Sequence, residues 1–321
     1  MDQTDLDYGR FEAIVAALPG LEHVELQGEG EPLLHPRFFD MLGHLRDRGI
    51  RTSFITNGSL MTPERAAQVV ALGVQKVIVS MESADPATFQ ALRGGSLEKV
   101  RRRLQNLLDA RRAAGADRPG VGLAVTVLRR TQADLAGIVG LYDALGLDGG
   151  VSFQPLQSMP TYARHYDAEL ADQTLSPREV EDLWFGLARA PVITRIQGAR
   201  RAPRGFYDEL MATWRSGSRA CPWLEAGVYV DRRGEATPCC RVKDPSAHGL
   251  GRPVEDGLAQ VGAARDGLRR TLAEGRTPTA CEGCDLARSI LATPAERAVQ
   301  KAGAALRWVT GRSSHPRLPV V

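Results

Sequence analysis

Cysteine is missing from the first 220 residues of this 321-residue chain, while the C-terminal third carries all five: Cys221, Cys239, Cys240, Cys281 and Cys284. That distribution excludes disulfides, thiolate metal sites and thiol nucleophiles from the longer part of the chain and gathers every thiol in one segment. Long apolar runs are also lacking: none approaches the roughly 18–20 residues that a membrane-spanning helix needs. The opening MDQTDLDYGRFEA is acidic and polar, without the basic-then-apolar layout of a secretory signal. A strong charge of one sign is absent, the net charge being +3, so nothing in the balance calls for nucleic acid as a partner. These absences make the cytoplasm the expected compartment. Thiols stay reduced there, and several gathered in one segment read as a metal or cluster site more readily than as disulfides.

What is present is ordinary for a folded chain, with 43% apolar and 25% charged residues, and it alternates. The pattern predicts helices over 7–18 (apolar face Phe11, Ile14, Val15 and Leu18), 36–48, 62–72, 86–114 and 132–145. Between them it predicts strands over 23–27, 50–56, 76–81, 121–128 and 150–154. Thr62 followed by Pro63 is an N-cap with proline at the first helical position, and Gly49 and Gly73 stop their helices. A βα series of this kind implies a parallel sheet or barrel. Five strands are countable and the series opens on a helix, so a barrel wants one further strand in front. The domain division expected is a barrel over 1–156, a helical linker over 157–220, a cysteine-rich module over 221–290, and a C-terminal helix and tail over 291–321.

The turns after the strands carry candidate ligand residues. QGEGEPLLHP places Gly28 and Gly30 between a strand and a helix, where glycine permits positive φ and close approach of a ligand to the backbone. Glu31 can accept hydrogen bonds from a ligand ammonium. A plain βα turn reads equally well from this stretch by itself. GEGEPLLHP, SFITNGSLM and VIVSMESADPATFQALRGG together resemble, in their spacing, the radical S-adenosylmethionine (radical SAM) superfamily over about residues 7–156. GEP resembles its Gly-Gly-Glu motif, with Glu29 in place of the first glycine. ITNG and VSMES resemble the ends of its third and fourth strands, Glu82 standing where many relatives have Asp. The resemblance implies a partial (β/α)6 barrel lacking its first strand, an α/β fold that binds S-adenosylmethionine at the C-terminal ends of its strands. Gly30 and Glu31 would hold the methionine amino group, with Gly28 beside them. Asn57, Ser80 and Glu82 would touch ribose or carboxylate, and Gln154 ribose or adenine. Strand-end capping is the alternative for Asn57 and Ser80, and Arg93 reads as a surface or helix-end charge.

The superfamily holds a 4Fe–4S cluster on a C-x3-C-x2-C loop after its first strand, and this sequence has no cysteine there. The expectation is that the missing strand and loop share one cause, loss of an upstream segment, so that the radical-site cluster is expected only in the complete protein. The chain by itself is then inactive in cleaving S-adenosylmethionine.

The second constellation is Cys221-Pro-Trp223, then DRRGEATPCC, then Cys281-Glu-Gly-Cys284. A C-x2-C pair can grip one metal, and four thiolates serve zinc or an iron–sulfur cluster. The pattern resembles the SPASM domain that follows many radical SAM barrels, which implies one auxiliary 4Fe–4S cluster on Cys221, Cys239, Cys281 and Cys284. Cys240 is then a bystander or a substitute for Cys239, and Trp223 packs around the centre. The six histidines read as surface or turn residues, and Arg200, Arg201 and Arg204 as a solvated basic run.

The function expected is that of a radical SAM/SPASM-type enzyme whose complete form modifies a peptide or small-molecule substrate, fed by an electron donor such as a ferredoxin or flavodoxin. The alternative is a non-catalytic remnant, a metal-binding interaction protein.

Overall fold

The strands predicted from the alternating pattern form one sheet in the computed structural model, which describes residues 4–189 and 220–313. They are β1 (His23–Leu26), β2 (Arg51–Thr56), β3 (Lys76–Ser80), β4 (Gly120–Val127) and β5 (Val151–Pro155), all parallel and in sequential order. The helices between them are α2 (Phe38–Asp47), α3 (Pro63–Ala71), α4 (Pro86–Arg93), α5 (Leu97–Ala113) and α6 (Leu135–Ala144), following α1 (Tyr8–Ala17) at the start of the chain. Short polar side chains set their starts: Thr62 caps α3 by accepting from Arg65 N–H, Asp85 caps α4 from Thr88 N–H, and Ser96 caps α5 from Lys99 N–H. The run expected as one helix over 132–145 begins with a 3-10 turn, Arg129–Asp134, before α6.

Strand alternation sorts side chains onto two faces. Phe54, Val77, Val79, Val121, Leu123, Val125 and Val127 turn toward the helices and are buried with Leu42, Val69, Leu104, Leu107, Leu135 and Ile138 in one apolar cluster. Burying each such side chain stabilises by roughly 1.5–3 kcal/mol. The opposite face mixes polar or small residues (Glu25, Ser53, Lys76, Ser80, Gly122, Ala124 and Ser152) with the paired Ile55 and Ile78. This is the curled half-barrel expected of a (β/α)6 barrel without its first strand. Among the described residues β1 pairs with β2 alone. Gly122 and Gly149 are required by closeness: a Cβ on Gly122 would stand 2.7 Å from the Gly150 carbonyl oxygen, and one on Gly149 2.5 Å from the Gly122 nitrogen.

The described residues divide into two compact units. One contains Glu22–Leu156 with 173–189 and 300–313; the other contains 4–21, 157–172 and 220–299. The helix α1, which the sequence places at the head of the barrel series, therefore groups with the cysteine-bearing segment. It buries Phe11, Ile14 and Val15, and Arg10 donates a hydrogen bond to the Arg233 carbonyl at 2.5 Å. In that unit Tyr229–Val230 and Ala236–Thr237 pair antiparallel around the turn expected at Arg233-Gly234, where Asp231 accepts from the N–H groups of Arg233 and Glu235. Among the described residues three helices, Pro160–Ala163, Ala168–Asp172 and Pro177–Arg189, lie in the stretch expected as a linker, and the tail helix runs Pro294–Val309. The basic run at Arg200, Arg201 and Arg204 lies outside the described residues. Among the described residues no helix is long and apolar enough to cross a membrane.

Candidate functional site

Because all five strands are parallel, their C-terminal ends share one edge, and the residues expected to bind a ligand lie along it. Register places Leu26 beside Phe54, Thr56 beside Val79, Ser80 beside Ala124, and Thr126 beside Gln154. The turn after β1 thus follows alongside the end of β2, with Ser80 at the end of β3 and Gln154 in the outer strand.

Glu31 is the best-held member. Its Oε1 accepts from the Thr56 hydroxyl at 2.7 Å and from Leu33 N–H at 3.1 Å, and its Oε2 accepts from Asn57 N–H at 2.7 Å. The carboxylate therefore ties the turn after β1 to the end of β2 and caps the short 3-10 turn Pro32–Leu34. Oε2 carries one protein hydrogen bond and keeps a lone pair for a ligand donor. Thr56, which sequence reasoning missed, is the pivot: it donates to Glu31 and accepts from Gly58 N–H at 3.0 Å. Its only signal was a β-branched residue one place before Asn-Gly. Asn57 accepts from Ser59 N–H at 2.8 Å, an Asx turn that leaves its amide NH2 to donate elsewhere.

The remaining members differ from expectation in detail. Gly28 and Gly30 do not adopt positive φ, whereas Gly58 does at +75°. A Cβ on Gly30 would meet nothing within 4 Å, and one on Gly28 only the Gly30 nitrogen at 3.9 Å. Their use, then, is open space beside exposed backbone rather than a left-handed turn. Glu82 is buried, and both its oxygens accept from Arg93 at the end of α4. Arg93 is thus a helix-end charge as expected, but one turned inward as a bidentate partner. Ser80 is half-buried and Gln154 exposed. His23, expected at the surface or in a turn, is half-buried in β1 with its Nε2 3.1 Å from the Ser53 hydroxyl. Ser53 also donates to Glu25 at 3.3 Å.

The thiols lie in the other unit. Cys281 ends a 3-10 turn, and Cys284 N–H donates to its carbonyl at 3.1 Å. Gly283 between them has φ +75°, and its missing Cβ would stand 3.2 Å from Met159 Cα and from Pro160 Cδ. Cys221 precedes the helix Pro222–Ala226, and Cys284 precedes Asp285–Leu291. All five are free. Burial is the main cause that raises the Cys221 and Cys239 thiols and pushes Cys281 up to about 12. Neighbouring thiolates add to it: Cys284 acts on Cys221, Cys239 and Cys281, and Cys221 acts on Cys239 and Cys281. Cys240 is the largest of the neighbouring thiol influences on Cys239, and its carbonyl accepts from the Tyr162 hydroxyl at 3.2 Å. Among the described residues no group of three or more His, Cys, Asp or Glu stands ready to hold a metal ion.

One cation accompanies these thiols. Arg241 is largely buried, pairs with Asp285 and has Nη1 4.0 Å from the Cys284 sulfur. Burial opposes its charge, but Asp285, Cys284 and Cys239 outweigh it and hold the guanidinium above its ordinary pKa. Each residue of the Arg241–Asp285 pair sits directly after a cysteine, a signal that sequence reasoning passed over.

The fold is an α/β half-barrel whose candidate ligand residues lie along the carboxyl ends of its parallel strands. Residues 6–137 match the model of the Radical SAM superfamily. It is similar to a tungsten-containing aldehyde ferredoxin oxidoreductase cofactor-modifying protein of Pyrococcus furiosus, 27% identical over 247 residues, 75% of this chain and 64% of that protein. An AdoMet-dependent heme synthase of Nitratidesulfovibrio vulgaris is 29% identical over 234 residues, 65% of this chain and 58% of the synthase. A PqqA peptide cyclase of Streptomyces rochei is 37% identical over 121 residues, 37% of this chain and 31% of the cyclase. The chain spans less than two thirds of the length of each. Among solved structures, native anSMEcpe with bound AdoMet aligns over 97% of this chain and 89% of its own, with TM-score 0.64 and 14% identity. Streptococcus suis SuiB bound to precursor peptide SuiA aligns over 84% and 61%, with TM-score 0.62 and 13% identity. At such identities the likeness is one of fold.

Proposed function

We propose that the strand-end edge binds S-adenosylmethionine and that Cys221, Cys239, Cys281 and Cys284 hold an auxiliary 4Fe–4S cluster of a SPASM-type module. The observation that carries the first part is the fixed Glu31 carboxylate, which retains acceptor capacity beside the open backbone of Gly28 and Gly30. The methionine ammonium would meet Glu31, and Asn57, Ser80 and Gln154 lie along the same edge for the ribose, carboxylate or adenine. Glu82, spent on Arg93, acts as a support of that edge. Support for the second part is the C-x2-C spacing of Cys281 and Cys284, the free thiols gathered in one unit, and Arg241 beside Cys284.

A radical-site cluster, where one is bound, supplies the electron that converts S-adenosylmethionine to a 5′-deoxyadenosyl radical. The sequence has no cysteine in its barrel to hold such a cluster, so the chain as it stands binds S-adenosylmethionine without cleaving it. Modification of a peptide or small molecule belongs to a protein that carries those thiolates, and the named relatives act on a cofactor and a peptide. A ferredoxin or flavodoxin suits as electron donor, and the cytoplasm as the compartment that keeps five free thiols reduced.

Anaerobic reconstitution with iron and sulfide tests the reading. Roughly four iron and four sulfide per chain are expected for one cluster, lost in Cys281→Ala and Cys284→Ala and kept in Cys240→Ala. S-adenosylmethionine should bind in calorimetry and yield no 5′-deoxyadenosine with dithionite. Tightly bound zinc without sulfide would overturn the cluster assignment, and absence of binding heat would overturn the strand-end site.

A further inference from the structure

The tail helix Pro294–Val309 is held by one face and left bare on another. Its inner face buries Ala304 and sets the Trp308 ring centroid 6.2 Å from that of Phe185. From the same helix Arg307 donates to Asp182 at 2.7 Å and to Glu181 at 3.3 Å, both on the helix Pro177–Arg189. The bare face carries Ala295, Val299, Ala302, Leu306 and Val309, at alternating steps of four and three that make one stripe along a helix. Val299 is 72% exposed, Leu306 66% and Val309 74%. Single exposed apolar side chains are ordinary. Among the described residues, however, four large apolar side chains are more than half exposed, and three of them share this stripe. Its charge is one-sided too. From Arg297 to Val321 the sequence holds Arg297, Lys301, Arg307, Arg312 and Arg317 and no acidic residue. Arg307 is spent on its two carboxylates, while Lys301, next to Ala302, and Arg312, just past Val309, are exposed. Glu296, in the first turn, caps the helix start by accepting from Thr293 N–H at 2.7 Å.

We propose that this stripe is a membrane-surface contact: the tail helix lies on an anionic bilayer, with its apolar side chains in the headgroup–acyl boundary and its cations on lipid phosphates. Apolar area leaves water on such contact, and cations are drawn to the anionic leaflet. The charge decides between occupants. A second copy docked on this face would bring Lys301 and Arg312 against their own equivalents, with Glu296 as the one acid in the helix to answer them. A nucleic acid would satisfy the cations and leave Leu306 and Val309 in water. An anionic lipid surface answers both. The helix lies on that surface without spanning it, because its inner face commits Arg307 and Trp308 to the protein. Nothing in this contact requires S-adenosylmethionine or a cluster to be bound.

The test is co-sedimentation of the full chain with vesicles, either phosphatidylcholine alone or phosphatidylcholine mixed with phosphatidylserine. The chain should pellet with the mixed vesicles and stay in solution with the neutral ones, and added salt should weaken the binding. Leu306→Glu should lower the partition coefficient by about tenfold or more, and Lys301→Glu should lower it less. Both side chains are exposed, so both variants should melt with wild type. Lys99→Glu makes the same charge change at an exposed position on α5 and should bind as wild type does, which separates the stripe from general positive charge. Failure to pellet with the mixed vesicles overturns the proposal, as does pelleting that ignores lipid charge. An unchanged partition in Leu306→Glu, or an equal loss in Lys99→Glu and Lys301→Glu, overturns it too. Self-association in sedimentation velocity that Leu306→Glu abolishes, without vesicle binding, assigns the stripe to a second copy and overturns the lipid reading.

Discussion

Replacing Glu31 with alanine removes the acceptor for three donors at once, the Thr56 hydroxyl and the N–H groups of Leu33 and Asn57. The three losses differ in cost. Thr56 is 2% exposed, so water cannot readily replace its partner, and an unmade buried hydrogen bond costs about 1–3 kcal/mol. Loss of the cap on the Pro32–Leu34 turn adds about 1 kcal/mol. Asn57 is half-buried, and water takes over much of its bond. The sum is a destabilisation of about 2–4 kcal/mol for Glu31→Ala. In Glu31→Gln the side chain keeps one acceptor, and the Thr56 hydroxyl can turn to accept from the new amide, so about 1–2 kcal/mol is expected. Urea unfolding followed by circular dichroism reads both values. Calorimetry with S-adenosylmethionine should show weaker binding in Glu31→Gln even at temperatures where it remains folded. If Glu31→Ala unfolds within about 0.5 kcal/mol of wild type, the carboxylate is not what ties the turn after β1 to the end of β2, and the reasoning fails.

Gly58→Ala places a methyl at φ +75°, 3.1 Å from one methyl of Val79 and 3.2 Å from one of Val100; left-handed strain and overpacking together should cost about 2–4 kcal/mol in thermal unfolding. A Gly58→Ala protein that melts with wild type would show that neither constraint holds. Arg93→Ala strands the buried Glu82 carboxylate, for which the lower part of the about 3–5 kcal/mol range is expected because Arg93 is itself partly exposed; Glu82→Gln should cost less, and the reverse order would contradict the assignment. Asp244 has its pKa lowered to about 2 by hydrogen bonds from Ser246 and Arg164. Its folded pKa lies below its unfolded value, so its contribution is complete above roughly pH 4 and is lost as pH falls through about 2. Asp244→Asn should therefore differ from wild type in unfolding midpoint at pH 6 and converge with it near pH 2; a constant difference across that range would assign the effect elsewhere.

Local pattern was enough to read the five parallel strands, the helix start at Thr62, the three strand-end turns and the C-x2-C pair, because each is a short-range consequence of period, capping or spacing. Parallel strands also make their carboxyl ends coincide, so naming the strands already placed Glu31, Asn57, Ser80 and Gln154 along one edge. Tertiary structure alone decided what those residues touch. Glu31 meets Thr56 across 25 residues of sequence and Arg241 meets Asp285 across 44, contacts set by strand register and by the return of the chain. The period of α1 gave its apolar face, yet not the partner of that face, and it groups with the cysteine-bearing segment rather than with the sheet it precedes. Glu82 and Arg93 were both legible as charges, but whether a charge meets ligand, solvent or another side chain depends on which groups burial brings together. A sequence specifies its own periodicity residue by residue, whereas a long-range pair exists only once packing has fixed both ends.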